Sequence, residues 1–117
     1  MKYQRKPKTN DRQHFNAWQI ATKGGKLARV SVARYRRAFR ASFLLGWLND
    51  YADKCAEYDN DATRYTEEGS NRRAQRLEQL ESRTAEALAP LGFEFFNSCH
   101  FYDIAEKGTE KPIYTRR

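Results

Sequence analysis

The strongest periodic signal in the chain is a run of apolar residues three or four positions apart, which is the spacing of one face of a helix. The run comprises Val32, Tyr35, Phe39, Phe43, Trp47, Tyr51, Cys55, Tyr58, Ala62 and Tyr65. Since no proline interrupts it, the pattern predicts one helix from about Ser31 to Glu68, roughly 55 Å long. Ser31 is placed to cap its start and Gly69 to end it in the left-handed conformation, with Phe39 and Phe43 facing the core.

A second, shorter helix is expected directly after the first, capped by Ser70 and closed by Pro90 and Gly92. Its narrower apolar stripe consists of Leu77, Leu80, Thr84 and Leu88. A one-residue link at Gly69 predicts a sharp reversal into an antiparallel pair, although a helix continuous through Gly69 would cost only about 1 kcal/mol for the glycine. Because the second helix covers only the C-terminal half of the first, other segments must cover the N-terminal half.

Residues 14–32 form one of these covering segments. Gly24-Gly25 lies between two half-apolar runs and predicts a turn. The alternation of Trp18, Ile20 and Thr22 before it favours a β-hairpin, whereas a short helix ended by the glycines fits the same residues nearly as well.

The C-terminal segment is the other, and it predicts a short aromatic hairpin. Apolar residues flank a turn at Asn97-Ser98, with Ile113-Tyr114 placed beside them: Phe93, Phe95, Phe96, Phe101, Tyr102 and Ile104. The predicted fold class is therefore mainly α with small β elements (α+β), with a long helix, a shorter antiparallel helix and this hairpin. Residues 1–13 are expected to form a basic N-terminal arm, and residues 14–117 a single globular domain.

Charge adds a polarity that the apolar pattern does not show. The 117 residues carry a net charge of +7, and 14% of them are aromatic, which favours a packed domain over disorder. Residues 1–48 hold twelve Lys and Arg against one acid, whereas residues 50–69 hold seven acids against two bases. Such a polarity indicates a polyanionic partner, DNA or RNA in the first place and an acidic protein in the second.

Four arginines, Arg34, Arg36, Arg37 and Arg40, lie in the first turns of the predicted long helix. That end of a helix already carries about half a positive charge from its aligned peptide dipoles, so cations there are unfavourable unless an anion binds. We therefore expect phosphate contacts from the arginines and the basic residues before them: Lys6, Lys8, Arg12, Lys23, Lys26, Arg29, Arg34, Arg36, Arg37 and Arg40.

Two other interpretations of this helix compete with phosphate binding. One is a solvated cationic face, and the other is a helix lying on a membrane surface. The block FLLGWL, residues 43–48, is apolar on every side, which favours the middle of a core or a dimer interface over a membrane. Gly46 within it predicts close approach of another backbone, and a homodimer is one way to provide it.

No residue set in the chain predicts catalysis, a metal or another cofactor. The cysteines and histidines, Cys55, Cys99, His14 and His100, lack the paired short spacings of a zinc site. KGGK at residues 23–26 lacks the ending of a phosphate loop. We expect a non-enzymatic, cytoplasmic nucleic-acid-binding accessory protein without a secretory leader. The alternative is a phage- or mobile-element-type modulator or inhibitor that binds a host protein through its basic and aromatic surface.

Overall fold

The computed structural model describes residues 3–4, 12–97, 101–109 and 112–113. The fold is mainly α with small β elements, which confirms the predicted class. In chain order the elements are β1 (Tyr3–Gln4), α1 (Arg12–Ala21), β2 (Val30–Ser31), α2 (Val32–Asp59), α3 (Glu67–Leu88), a short 3-10 turn (Ala89–Leu91), β3 (Phe93–Asn97), β4 (Tyr102–Glu106) and β5 (Pro112–Ile113).

The long helix is shorter than the apolar run predicts. Ser31 caps α2 as expected, because its hydroxyl accepts the backbone N–H of Arg34 at 3.1 Å. The predicted end at Gly69 is wrong: α2 stops at Asp59, and Gly69 lies in the first turn of α3. The predicted one-residue link is therefore a segment of irregular structure, residues 60–66.

Side chains in this link account for the break. Asp61 accepts the backbone N–H of Thr63 at 2.9 Å and the Nε–H of Arg64 at 2.6 Å, and these bonds hold the backbone in a turn. Thr66, not Ser70, is the cap of α3, since its hydroxyl accepts the N–H of Gly69 at 3.0 Å. The apolar run therefore spans two separate elements.

Residues 12–21 form a helix, so the helical alternative is right and the hairpin interpretation of this segment is wrong. The predicted turn at Gly24-Gly25 is present, and both glycines have positive φ. The helix α1 packs along the N-terminal half of α2, while α3 runs back along α2. β1 pairs with β2, so Tyr3–Gln4 of the predicted arm lies beside the start of α2.

The core joins both helix pairs to the C-terminal sheet. Its buried members are Ala17, Ile20, Ala21, Val30, Tyr35, Ala38, Ala41, Leu45, Leu88, Leu91, Phe93 and Ile104. Leu80 and Thr84 of the predicted α3 stripe are buried as well. Ala38 and Ala41, both 0% exposed, let α2 approach its neighbours closely.

Phe43 is not a core residue, which corrects the prediction. Its side chain is 57% exposed, and Trp47 is 43% exposed. Four residues advance a helix by about 40° beyond a full turn, so successive four-residue steps carry the apolar run around α2. The run is buried at Tyr35 and at Cys55, both 8% exposed, and crosses the solvent-facing side between them. Phe39, earlier in the run, is half-buried against the core.

The predicted aromatic hairpin is confirmed as β3 paired antiparallel with β4, and β5 adds to β4. Residues 98–100 and Tyr114 lie outside the described residues. The side-chain amide of Asn49 fixes β4 against α2. Its Nδ2 donates to the carbonyl oxygen of Tyr102 at 2.9 Å, and its Oδ1 accepts the N–H of Tyr102 at 2.7 Å.

Within the described residues of the chain no backbone approaches Gly46, so the expected close approach does not occur inside the fold. A homodimer that provides it stays a prediction. A Cβ built at Gly46 meets nothing within 4 Å among the described residues. We therefore expect Gly46→Ala to raise the free energy of unfolding by about 0.5–1 kcal/mol, because alanine is the better helix former in a helix interior. Urea denaturation followed by circular dichroism measures the change. A loss of stability would show that another surface occupies this site.

Candidate nucleic-acid interface

The fold divides the predicted phosphate-binding cations into separate groups. Arg34 points back into the fold: its Nε donates to the carbonyl oxygen of Ala21 at 2.7 Å and its Nη2 to that of Leu91 at 3.1 Å. These carbonyls end α1 and the 3-10 turn, where a cation is favourable. Partial burial lowers the pKa of Arg34 from its ordinary value. The guanidinium therefore links the ends of α1 and the 3-10 turn and is not presented to a ligand.

Lys23 and Lys26 lie in the turn after α1, on the side of α2 toward which Arg34 points. Lys26 pairs with Glu106 at the end of β4, with 2.7 Å between Nζ and Oε2. The backbone N–H of Lys107 next to it donates to the carbonyl oxygen of Gly92. We call Lys23, Lys26 and Lys107 the turn lysines.

Of the four predicted phosphate contacts that lie neither on α2 nor in the turn after α1, only one has a side chain among the described residues. Arg29 is exposed in the segment before β2. Arg12 begins α1, inside the arm predicted for residues 1–13, and its side chain lies outside the described residues, as do Lys6 and Lys8.

Arg36, Arg37 and Arg40 are exposed on α2 and lie together. At 3.6 residues per turn they fall within about 100° of the helix circumference, with Arg40 between the other two, and Arg36 lies about 160° from Arg34. Within the described part of the chain, no carboxylate forms an ion pair with any of the three. The first turn of α2 also has no acidic residue, so the positive potential at this end is left uncompensated by these neighbours.

Exposed aromatic side chains continue this surface along α2. Phe43 and Trp47 follow Arg36 and Arg40 on the same side of the helix, and Lys54 lies on that side two turns beyond Trp47. We call these residues the basic–aromatic face: Arg36, Arg37, Arg40, Phe43, Trp47 and Lys54. Sequence reasoning missed the two aromatic members because it placed them in the core.

A cleft of about 330 Å³ opens between α2 and α3 beside this face. Its lining residues are Trp47, Asp50, Tyr51, Lys54, Cys55, Tyr58, Arg73 and Arg76. The guanidinium of Arg76 lies 5.9 Å from the ring centre of Tyr51, and that of Arg73 lies 5.2 Å from the ring centre of Tyr58. Aromatic rings of α2 thus face arginines of α3 across the cleft.

Two further groups in the cleft bear on its chemistry. Arg73 pairs with Asp59 at 2.7 Å, and its buried Nε–H has no hydrogen-bond partner among the described residues. Burial raises the pKa of the Cys55 thiol, which disfavours the thiolate needed for nucleophilic attack. The raised pKa therefore gives no support to a nucleophilic role for Cys55.

Residues 12–97 and the shorter described segments contain no group of three or more His, Cys, Asp or Glu residues placed to hold a metal ion. None of the helices described here combines the length and the apolarity needed to cross a bilayer.

Comparison of the chain with protein-family models, with curated proteins and with solved structures found no match.

Proposed function

We propose that the protein is a non-enzymatic, cytoplasmic nucleic-acid-binding accessory protein that holds phosphates on Arg36, Arg37 and Arg40. One observation carries the proposal: three exposed guanidinium groups share an arc of α2, and no described carboxylate pairs with them. A stretch optimised only for stability would place acidic residues near this helix end. Phosphate oxygens are suitable anions because the planar fork of arginine matches their geometry.

The arrangement supports binding to the backbone in preference to base-sequence recognition. The guanidinium groups spread over about 100° of the helix, which suits a curved phosphate chain and does not form one narrow seam for a groove. Lys6 and Lys8 stay predicted contributors from the N-terminal arm. The turn lysines, on the other side of α2, are expected to contribute little.

Changing Arg36, Arg37 and Arg40 together to glutamine is expected to weaken binding to a mixed-sequence DNA by about 10- to 100-fold at low salt. It also flattens the plot of log affinity against log salt by about 0.7–0.9 for each phosphate that the variant no longer neutralises. Fluorescence anisotropy across a salt series measures both quantities.

The matched control changes the turn lysines, Lys23, Lys26 and Lys107, to glutamine. This variant removes the same number of charges from another surface, so a small effect there shows that position matters and not net charge alone. An absent or salt-independent affinity of the native protein contradicts the proposal, and so does an equal loss of affinity in the two variants.

A second candidate function is a modulator that docks on a protein partner, and the exposure of Phe43 and Trp47 favours it. Trp and Arg are frequent anchors of protein interfaces. Capture of partners from a lysate with and without nuclease treatment separates the two functions. Partners that persist after nuclease treatment and no longer bind Trp47→Ala support docking on a protein.

A further inference from the structure

We infer, on the basis of the proposed function, that the ligand is single-stranded nucleic acid whose unpaired bases stack on Phe43 and Trp47 beside the cleft. The inference adds a ligand class to the phosphate contacts already proposed. It is carried by the position of two exposed aromatic rings within a cationic surface.

The first step concerns the two rings. Phe43 and Trp47 are one turn apart on the same side of α2, which separates them by about 6 Å along the helix axis. They are 57% and 43% exposed, and no arginine lies over either ring among the described residues. By contrast, Tyr58 has Arg64 at 4.4 Å from its ring centre. Phe43 and Trp47 are therefore the open stacking platforms of the surface.

The second step concerns the cations on either side of these rings. Arg36 and Arg40 precede them on α2, and Lys54 follows them, with Arg76 of α3 at the cleft. Arg40 and Lys54 are about 21 Å apart along the helix axis. A strand lying along α2 can place phosphates at both ends and bases on the rings between them, which is the usual arrangement in single-strand binding.

The third step concerns the charge of the cleft. Three cations line it, Lys54, Arg73 and Arg76, against one carboxylate, Asp50. Arg73 already pairs with Asp59, whereas Lys54 and Arg76 form no ion pair with described residues. An aromatic ligand with negative charge fits this lining, and a nucleotide unit supplies both properties. In a duplex the faces of the bases are already stacked, so only an unpaired strand can use the platforms.

The experiment compares three probes of equal length: a single-stranded DNA, an abasic strand with the same phosphates, and a duplex. Native protein is expected to bind the base-bearing strand most tightly. Trp47→Ala weakens that binding by about 5- to 150-fold, the range expected for removal of one stacking platform. The same variant leaves binding to the abasic strand unchanged, because the phosphate contacts persist. Trp47 is exposed, so its replacement is not expected to unfold the protein.

Phe15→Ala is the matched control, since Phe15 is a 44% exposed aromatic residue on α1 and does not belong to the basic–aromatic face. It should leave all three affinities unchanged. Equal binding of the base-bearing and abasic strands, or tighter binding of the duplex, overturns this inference and leaves the proposed function standing. Absence of binding to all three probes overturns both.

Discussion

Phe93→Ala is expected to lower the free energy of unfolding by about 3–5 kcal/mol, the range for truncating a large buried aromatic residue. Phe93 is 2% exposed and belongs to the core shared by the helices and the C-terminal sheet. Removing its ring leaves a cavity where strand and helices meet, and the rigid neighbours close it only partly. Urea denaturation followed by circular dichroism and by fluorescence measures the loss, and the two signals should change together.

Phe43→Ala is the control for this prediction because the chemical change is the same. Phe43 is 57% exposed, so its truncation should cost less than about 1 kcal/mol, as surface substitutions usually do. Similar losses of stability in the two variants would contradict the described burial. Separate transitions in Phe93→Ala would contradict a core common to sheet and helices.

Arg34→Met is expected to lower the free energy of unfolding by about 2–3 kcal/mol. Methionine keeps much of the apolar stem but cannot donate to the carbonyl oxygens of Ala21 and Leu91, which Arg34 reaches at 2.7 and 3.1 Å. Hydrogen bonds from a charged donor contribute about 1.5–3 kcal/mol each, and partial exposure moderates the sum. Thermal and urea denaturation measure the change.

Arg36→Met separates the structural role of Arg34 from phosphate binding. Because Arg36 is exposed and forms no described ion pair, its replacement should barely change stability and should weaken DNA binding. Arg34→Met should show the reverse pattern when affinity is measured on folded protein. If Arg34→Met weakened DNA binding without changing stability, Arg34 would have to be counted among the phosphate-binding residues.

Much of the fold follows from local signals in the sequence. Three predictions that depend only on a few neighbouring residues are confirmed. They are the helix cap at Ser31, the turn at Gly24-Gly25 and the aromatic hairpin near the C-terminus. The break between α2 and α3 does not follow from the apolar pattern, because the run continues through it. Short-range hydrogen bonds of Asp61 and Thr66 outweigh that periodicity and end the long helix early.

The site is harder to predict than the fold. Both Arg34 and Arg36 are predicted phosphate contacts because of their place near the helix start. Helical spacing already directs them to different sides, but only tertiary contacts give Arg34 its carbonyl partners and remove it from the interface. The exposure of Phe43 and Trp47 depends on small buried residues, Ala38 and Ala41, forming the inward side of α2. Alanine gives little signal in an apolar pattern, so the true inward face is easily overlooked.

The amide of Asn49 has a consequence for assembly. Tyr102 lies in a strand whose described partner β5 covers only Ile104 and Ala105. Because β5 does not reach Tyr102, the N–H and carbonyl of Tyr102 would be unpaired if Asn49 did not bond them. Unpaired backbone groups at a sheet edge can accept a strand of another molecule. Asn49 occupies both groups, as a neighbouring strand would. The amide thus leaves neither backbone group of Tyr102 open to a strand of another molecule, and α2 takes the place of a neighbouring strand at this part of the sheet edge.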